Sequence, residues 1–164
     1  MTMVQRKKDD DIQFRDPKPG TIHQSRLDYP VPRPDDTLNT LSKNFLERVR
    51  EYSDRVAMRK KRYGIWQEYS WQDVYQHVND FFHGLIRMGL EPEETVIIIG
   101  ENDPETYWTQ IAAHANRSMT CGVFADALPE PDLLYVVNRT NASFIVAHDQ
   151  EQVDKALAIK EKIS

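Results

Sequence analysis

The segment KRYGIWQEYSW, running from Lys61 to Trp71, constrains this chain more than any other, because it turns one extended stretch back on a second and leads straight into an amphipathic helix. Residues 55–62 and 65–69 read as two strands, and Tyr63-Gly64 between them suits a two-residue turn, since glycine accepts the positive φ such a turn needs. Ser70 is placed to cap the following helix, with Asp73 completing a variant capping box. Apolar residues then recur at Trp71, Val74, Tyr75, Val78, Phe81, Phe82, Leu85 and Met88, and Gly89 ends the run. This stripe reads as a core-facing helix.

Elements continue on both sides of that unit. Leu38, Leu41, Phe45, Leu46, Val49 and Tyr52 repeat at helical spacing, with Asp36 or Thr37 placed as the cap. After the long helix, TVIII at residues 95–99 suits a strand buried on both faces of a parallel sheet. Asp103 and Pro104 start a helix with the stripe Tyr107, Trp108, Ile111, Ala112 and Ala115. Residues 119–124 read as a second buried strand, 131–137 as a short helix, 144–147 as a third strand and 150–163 as a closing helix. The order βαβαβα implies right-handed crossovers. The expected fold is α/β, a partial doubly wound parallel sheet covered by helices, with an N-terminal helix and a β-hairpin.

Residues 1–36 are expected to lie outside that core, as a disordered or strap-like lead. Pro17, Pro19, Gly20, Pro30, Pro32 and Pro34 stand among charges with few aliphatics, too little apolar surface to offset the entropy of ordering. Residues 37–164 form the folding part. No apolar run approaches the roughly 18 residues of a membrane helix, and a secretory leader is not evident, so the expectation is a cytoplasmic protein. A single cysteine, Cys121, excludes an internal disulfide framework and reads as a buried, inert thiol. The net charge of −5 argues against a nucleic-acid partner. Arg59, Lys60, Lys61 and Arg62 form the one basic run, read as a solvated strand edge that blocks edge-to-edge pairing.

Ligands of open parallel sheets sit beyond the carboxyl ends of the strands, which directs attention to Gly100-Glu101-Asn102-Asp103. That loop reads as a turn and cap: Glu101 and Asp103 already bring negative charge to the helix start, and one glycine does not make a dinucleotide fingerprint. His23, His77, His83, His114 and His148 show no metal-ligand spacing and read as surface or locally bonded residues. No serine stands in a GxSxG context. Trp66, Tyr69, Trp71, Tyr75, Phe81 and Phe82 read as core packing, and Lys155, Lys160 and Lys162 as support for the last helix, with Glu151 four residues before Lys155.

Three stretches carry a resemblance: YGIWQEYSW, then LIRMGLEPEETVIIIGENDPETYW, then CGVFADALPEPDLLYVVNRTNASFIVAHDQEQVDKALAIKEKI. Residues 37–164 resemble the N-terminal portion of AMP-forming acyl-CoA synthetases of the long-chain fatty-acid type, members of the adenylate-forming ligases. Gly-Glu-Asn-Asp-Pro-Glu before Trp108 is similar to that family's Gly-Asp-Asn-Arg-Pro-Glu-Trp pattern, with Trp108 displaced by two positions. The resemblance implies a parent enzyme that uses ATP and magnesium to adenylate a fatty acid, then passes the acyl group to coenzyme A.

The family's Ser/Thr/Gly-rich phosphate loop and its adenylation lysine are absent from these residues, so none is assigned a catalytic, cofactor-binding or metal role. The expectation is an incomplete first subdomain, inactive alone and binding no ATP, magnesium or coenzyme A by itself. Its partners would be the remainder of the ligase chain and, in the parent enzyme, the fatty acid. An exposed sheet edge would allow self-association, and a fatty-acid substrate leaves room for peripheral membrane contact. The alternatives are a non-catalytic α/β interaction module derived from the same subdomain, or an enzyme with an unrelated small substrate at the Glu101 loop.

Overall fold

A computed structural model describes residues 40–163. The expected lead at 1–36 and the capping candidates Asp36 and Thr37 lie outside the described residues. Helix α1 (Leu41–Tyr52) is capped by Thr40, whose hydroxyl accepts from the Lys43 amide at 3.2 Å. The cap thus sits three residues later than Thr37. Leu41, expected in the apolar stripe, is exposed at the helix start, whereas Val49 is buried and Phe45 packs on the core.

Strands β1 (Val56–Arg62) and β2 (Ile65–Ser70) form the antiparallel hairpin, with Arg62 opposite Ile65 and Lys61 opposite Trp66. Tyr63 and Gly64 both have positive φ, 52° and 81°, as a two-residue turn matched to strand twist requires. Helix α2 (Trp71–Arg87) begins with the expected capping box: Ser70 Oγ accepts from the Asp73 amide at 3.1 Å, and Asp73 accepts from the Ser70 amide at 2.8 Å. It ends in a Schellman turn, with Gly89 N donating to Ile86 O and Leu90 N to Leu85 O. Gly89 has φ 99°, and Leu85 and Leu90 are both buried in one cluster. Met88 departs from the expected stripe: it is the cap residue, beyond the last helical turn, and is exposed.

The remaining elements are β3 (Thr95–Gly100), α3 (Pro104–Ala115), β4 (Met119–Phe124), α4 (Leu134–Thr140), β5 (Ala142–Ala147) and α5 (Gln150–Ile159). A turn at Pro129–Leu133 leads into α4. Instead of running to residue 163, α5 gives way to a single 3₁₀ turn at Lys160–Lys162. The strands are parallel in the order β4-β3-β5. Alternation along β3 splits the core in two. Val96 and Ile98 face α2 and α3 and meet Val74, Val78, Trp108, Ala112 and Ala113, whereas Ile97 and Ile99 face Leu133, Val137 and Ile159. Each fully buried isoleucine contributes about 1.5–3 kcal/mol of burial.

Two expectations need correction. Residues 119–124 are not a buried strand, because β4 lies at the edge of the sheet with Met119 and Phe124 exposed. The buried face of α3 includes Thr109 and Ala113, while Tyr107 and Ala115 are exposed. Thr109 satisfies its hydroxyl inside its own helix, donating to Glu105 O at 2.8 Å, so a polar residue fits where a pattern based on hydropathy does not look for one. No helix among the described residues is long and apolar enough to cross a membrane.

Candidate functional site

The chain leaves β3 toward α3 on one face of the sheet and leaves β5 toward α5 on the other. The carboxyl ends of these neighbouring strands therefore flank a topological switch point, where α/β sheets hold ligands. At that point the two backbones nearly touch. His148 N donates to Ile99 O at 3.0 Å, and a Cβ added to Gly100 would stand 2.3 Å from the His148 Cβ. Only glycine permits this approach.

Close contact aims His148 at the start of α3, where its Nε2 lies 3.1 Å from Asp103 Oδ2. Lys60 Nζ reaches the same oxygen at 2.8 Å and Glu105 Oε2 at 3.2 Å. Hairpin, helix α3 and the β5–α5 loop thus converge on one carboxylate. The Lys60 side chain is only 12% exposed. Its burial pulls the ammonium pKa down, but hydrogen bonds from Lys60 to Asp103 and Glu105, and their negative charges, outweigh that pull and hold it above the ordinary lysine value.

Three expectations fail here together. Asp103 occupies the cap position of α3, but its side chain makes no capping hydrogen bond and pairs with Lys60 and His148 instead. Lys60 is not a solvated edge charge. Unlike the surface or local role expected of it, the His148 side chain lies 3.1 Å from a carboxylate of a different strand connection. His77 departs similarly, stacking on Trp108 with ring centroids 3.9 Å apart and planes within 13°. His114 is local, 3.0 Å from Thr120 Oγ1. Trp66, expected in the core, is 61% exposed on the hairpin, and Cys121 is half-buried.

The expected loop is closed on itself. Thr106 Oγ1 donates to Glu101 O at 2.8 Å, and the Tyr107 hydroxyl donates to Asn102 Oδ1 at 2.7 Å. Beside the cluster lies a cleft of about 210 Å³ lined by Arg62, Phe81, Glu105, Thr106, Thr109 and His148. A second cleft, of about 310 Å³, lies at the carboxyl ends of β3 and β4 and is lined by Gly100, Glu101, Asn102, Thr106 and Phe124; ligand clefts typically run to roughly 300–1,000 Å³. Glu105 and Asp103 share the start of α3 with the Lys60 ammonium, and Arg62 lines the neighbouring cleft. Among the described residues no three His, Cys, Asp or Glu side chains converge as a metal site. Asp103 Oδ2 has both the Lys60 ammonium and the His148 Nε2 within 3.1 Å. Chemically the cluster is a lock that holds the hairpin across the open end of β3 and β5.

Sequence reasoning missed Lys60 and His148 because their partner is remote: Lys60 and Glu105 stand 45 residues apart. The usable signal was a lysine two residues from Met58 on the inward-facing side of an alternating strand.

Residues 45–164 match the model of the AMP-binding enzyme family. The chain is 28% identical over 123 residues to the long-chain-fatty-acid–CoA ligase ACSBG1 of Bos taurus, covering 75% of this chain and 17% of that ligase. It is 27% identical over 124 residues to the long-chain-fatty-acid–CoA ligase ACSBG2 of Xenopus laevis, covering 76% and 17%. The chain therefore spans under one fifth of the length of these curated relatives. Among solved structures, the anthranilate CoA ligase AuaEII in complex with anthranoyl-AMP superposes with a TM-score of 0.67 at 15% identity, over 74% of this chain and 22% of that one. The N-terminal domain of FACL13 from Mycobacterium tuberculosis gives 0.65 at 10% identity, over 73% and 29%. At these identities the likeness is one of fold, the helix-covered parallel sheet.

Proposed function

Given that the chain belongs to the AMP-binding enzyme family, we propose that it is the first subdomain of a long-chain fatty-acid–CoA ligase and serves there as scaffold. The parent reaction is adenylation of a fatty-acid carboxylate by ATP with magnesium, followed by thioester formation with coenzyme A. The observation that carries the scaffold reading is the Lys60–Asp103–His148 cluster, which brings the hairpin and the β5–α5 loop together at the start of α3. The likeness to the two fatty-acid ligases supports the substrate class. Phosphate-binding and adenylating groups belong to the rest of the ligase, and this chain alone is inactive.

The partner of first importance is the remainder of the ligase. Edge strand β4, with Met119 and Phe124 exposed and Leu128 just beyond, supports a contact there. In isolation the same edge drives self-association. The test is fatty-acid-dependent pyrophosphate release from ATP and magnesium, measured for this chain and for the product of its complete reading frame. Release by the complete product alone is the expected result. Release by neither, whichever fatty acid is supplied, overturns the ligase reading and favours a binding module.

A further inference from the structure

The tip of the β1–β2 hairpin gathers exposed apolar side chains and cations at one point. Tyr63, Ile65 and Trp66 are 96%, 70% and 61% exposed, three large apolar side chains around one two-residue turn. Around a Cβ built on Gly64 there is nothing within 4 Å, so the tip stands in open space. Cations surround it. The Lys61 ammonium lies 5.9 Å from the centroid of the Trp66 ring, and Arg62 stands opposite Ile65. Arg59 pairs with Glu68 and Lys60 is consumed by Asp103 and Glu105, but Lys61 and Arg62 have no carboxylate in ion-pair range among the described residues.

We propose that this hairpin tip is a membrane-surface contact that seats Tyr63, Ile65 and Trp66 in the headgroup region of an anionic bilayer, with Lys61 and Arg62 against the lipid phosphates. Tryptophan and tyrosine favour that region because one end of each ring system is apolar and the other polar. Unpaired cations beside them add attraction to an anionic leaflet, and they do so on a chain whose net charge is −5, so the local charge is opposite to the global one. A protein partner fits less well. Specific protein interfaces bury about 800 Å² per side, whereas three side chains on a projecting turn offer a small convex point suited to shallow insertion. The proposal rests on the hairpin alone and stands or falls separately from the ligase reading.

Trp66 provides the readout, because Trp108 is buried and Trp71 half-buried. The full chain is mixed with vesicles of phosphatidylcholine containing phosphatidylserine, and with vesicles of phosphatidylcholine alone. The expected result is co-sedimentation with the anionic vesicles only, weakened by salt, with tryptophan emission shifted to the blue and quenched by brominated acyl chains. Trp66→Phe abolishes the emission change and keeps binding. Lys61→Ala and Arg62→Ala each weaken binding about fivefold, and Trp66→Ser combined with Tyr63→Ser removes it. Absence of binding overturns the proposal, as does equal binding to both vesicles, wild-type binding by the serine variant, or Trp66 emission already shifted to the blue without vesicles.

Discussion

The Lys60 ammonium lies 2.8 Å from the Asp103 carboxylate, and both side chains are largely shielded from water, 12% and 22% exposed. One contact therefore ties the hairpin to the start of α3. Removing Asp103 leaves the shielded Lys60 with Glu105 alone, and removing Lys60 leaves the Asp103 carboxylate without its ammonium. Lys60→Met and Asp103→Asn should each destabilise the fold by about 1–3 kcal/mol, and the double variant should cost less than the sum of the two. Urea denaturation of the four proteins measures the coupling, and strict additivity would show that the contact contributes nothing.

Alkaline stability follows from the same lysine. Its pKa is raised in the fold, so its contribution is complete below the unfolded lysine value and fades as pH rises through the folded one. Thermal melts should hold steady from neutral pH into the ordinary lysine range and then fall. In Lys60→Met that part of the fall should be smaller.

Acid stability involves the cap of α2. Hydrogen bonds from the Ser70 hydroxyl and then the Ser70 amide hold the Asp73 carboxyl below its ordinary range, against a smaller upward pull from burial. This contribution is present above the unfolded carboxylate value and lost as pH falls through the folded one. Ser70→Ala should cost about 1 kcal/mol at neutral pH and less in acid, measured by denaturant melts at both.

Gly100 tests the seam between β3 and β5. A methyl group there meets the His148 Cβ at 2.3 Å, a backbone-anchored atom that cannot swing away. Gly100→Ala should destabilise by about 1–3 kcal/mol. Gly122→Ala, where a Cβ meets nothing within 4 Å, should be nearly neutral. Equal melting temperatures for the two variants would contradict the seam.

Trp108 carries both packing and a liability. Its ring is stacked on His77 and meets Tyr69 edge-on at 5.3 Å, while the buried Nε1 has no hydrogen-bond partner among the described residues. Trp108→Ala should cost about 3–5 kcal/mol. Trp108→Phe keeps an aromatic ring and deletes the unpaired donor, so it should cost under about 1.5 kcal/mol.

Much of this was legible in the sequence because it is local. The Tyr63-Gly64 turn, the Ser70–Asp73 box, the Gly89 stop and the apolar run at 95–99 each declare themselves within a few residues, and each was found in place. The position of β4 was not legible: CGVF looks as apolar as TVIII, and only strand order makes one an edge and the other a centre. Trp66 misled for a related reason, since an aromatic in a hairpin reads as core until the hairpin is seen to project. Asp103 was legible as a helix start but not as the carboxylate to which Lys60 and His148 converge, because that depends on three segments meeting in space.

On the proposed reading, residues 40–163 are scaffold in a fatty-acid ligase and take no part in its chemistry. Formation of fatty acyl-CoA by the complete reading frame, compared with its Asp103→Asn variant at a temperature where both are folded, tests it most directly. Thioester is expected from both, with kcat equal within about threefold, a difference of under 1 kcal/mol in barrier. A folded variant that makes no thioester would contradict it, as would a wild-type enzyme that makes none from any fatty acid.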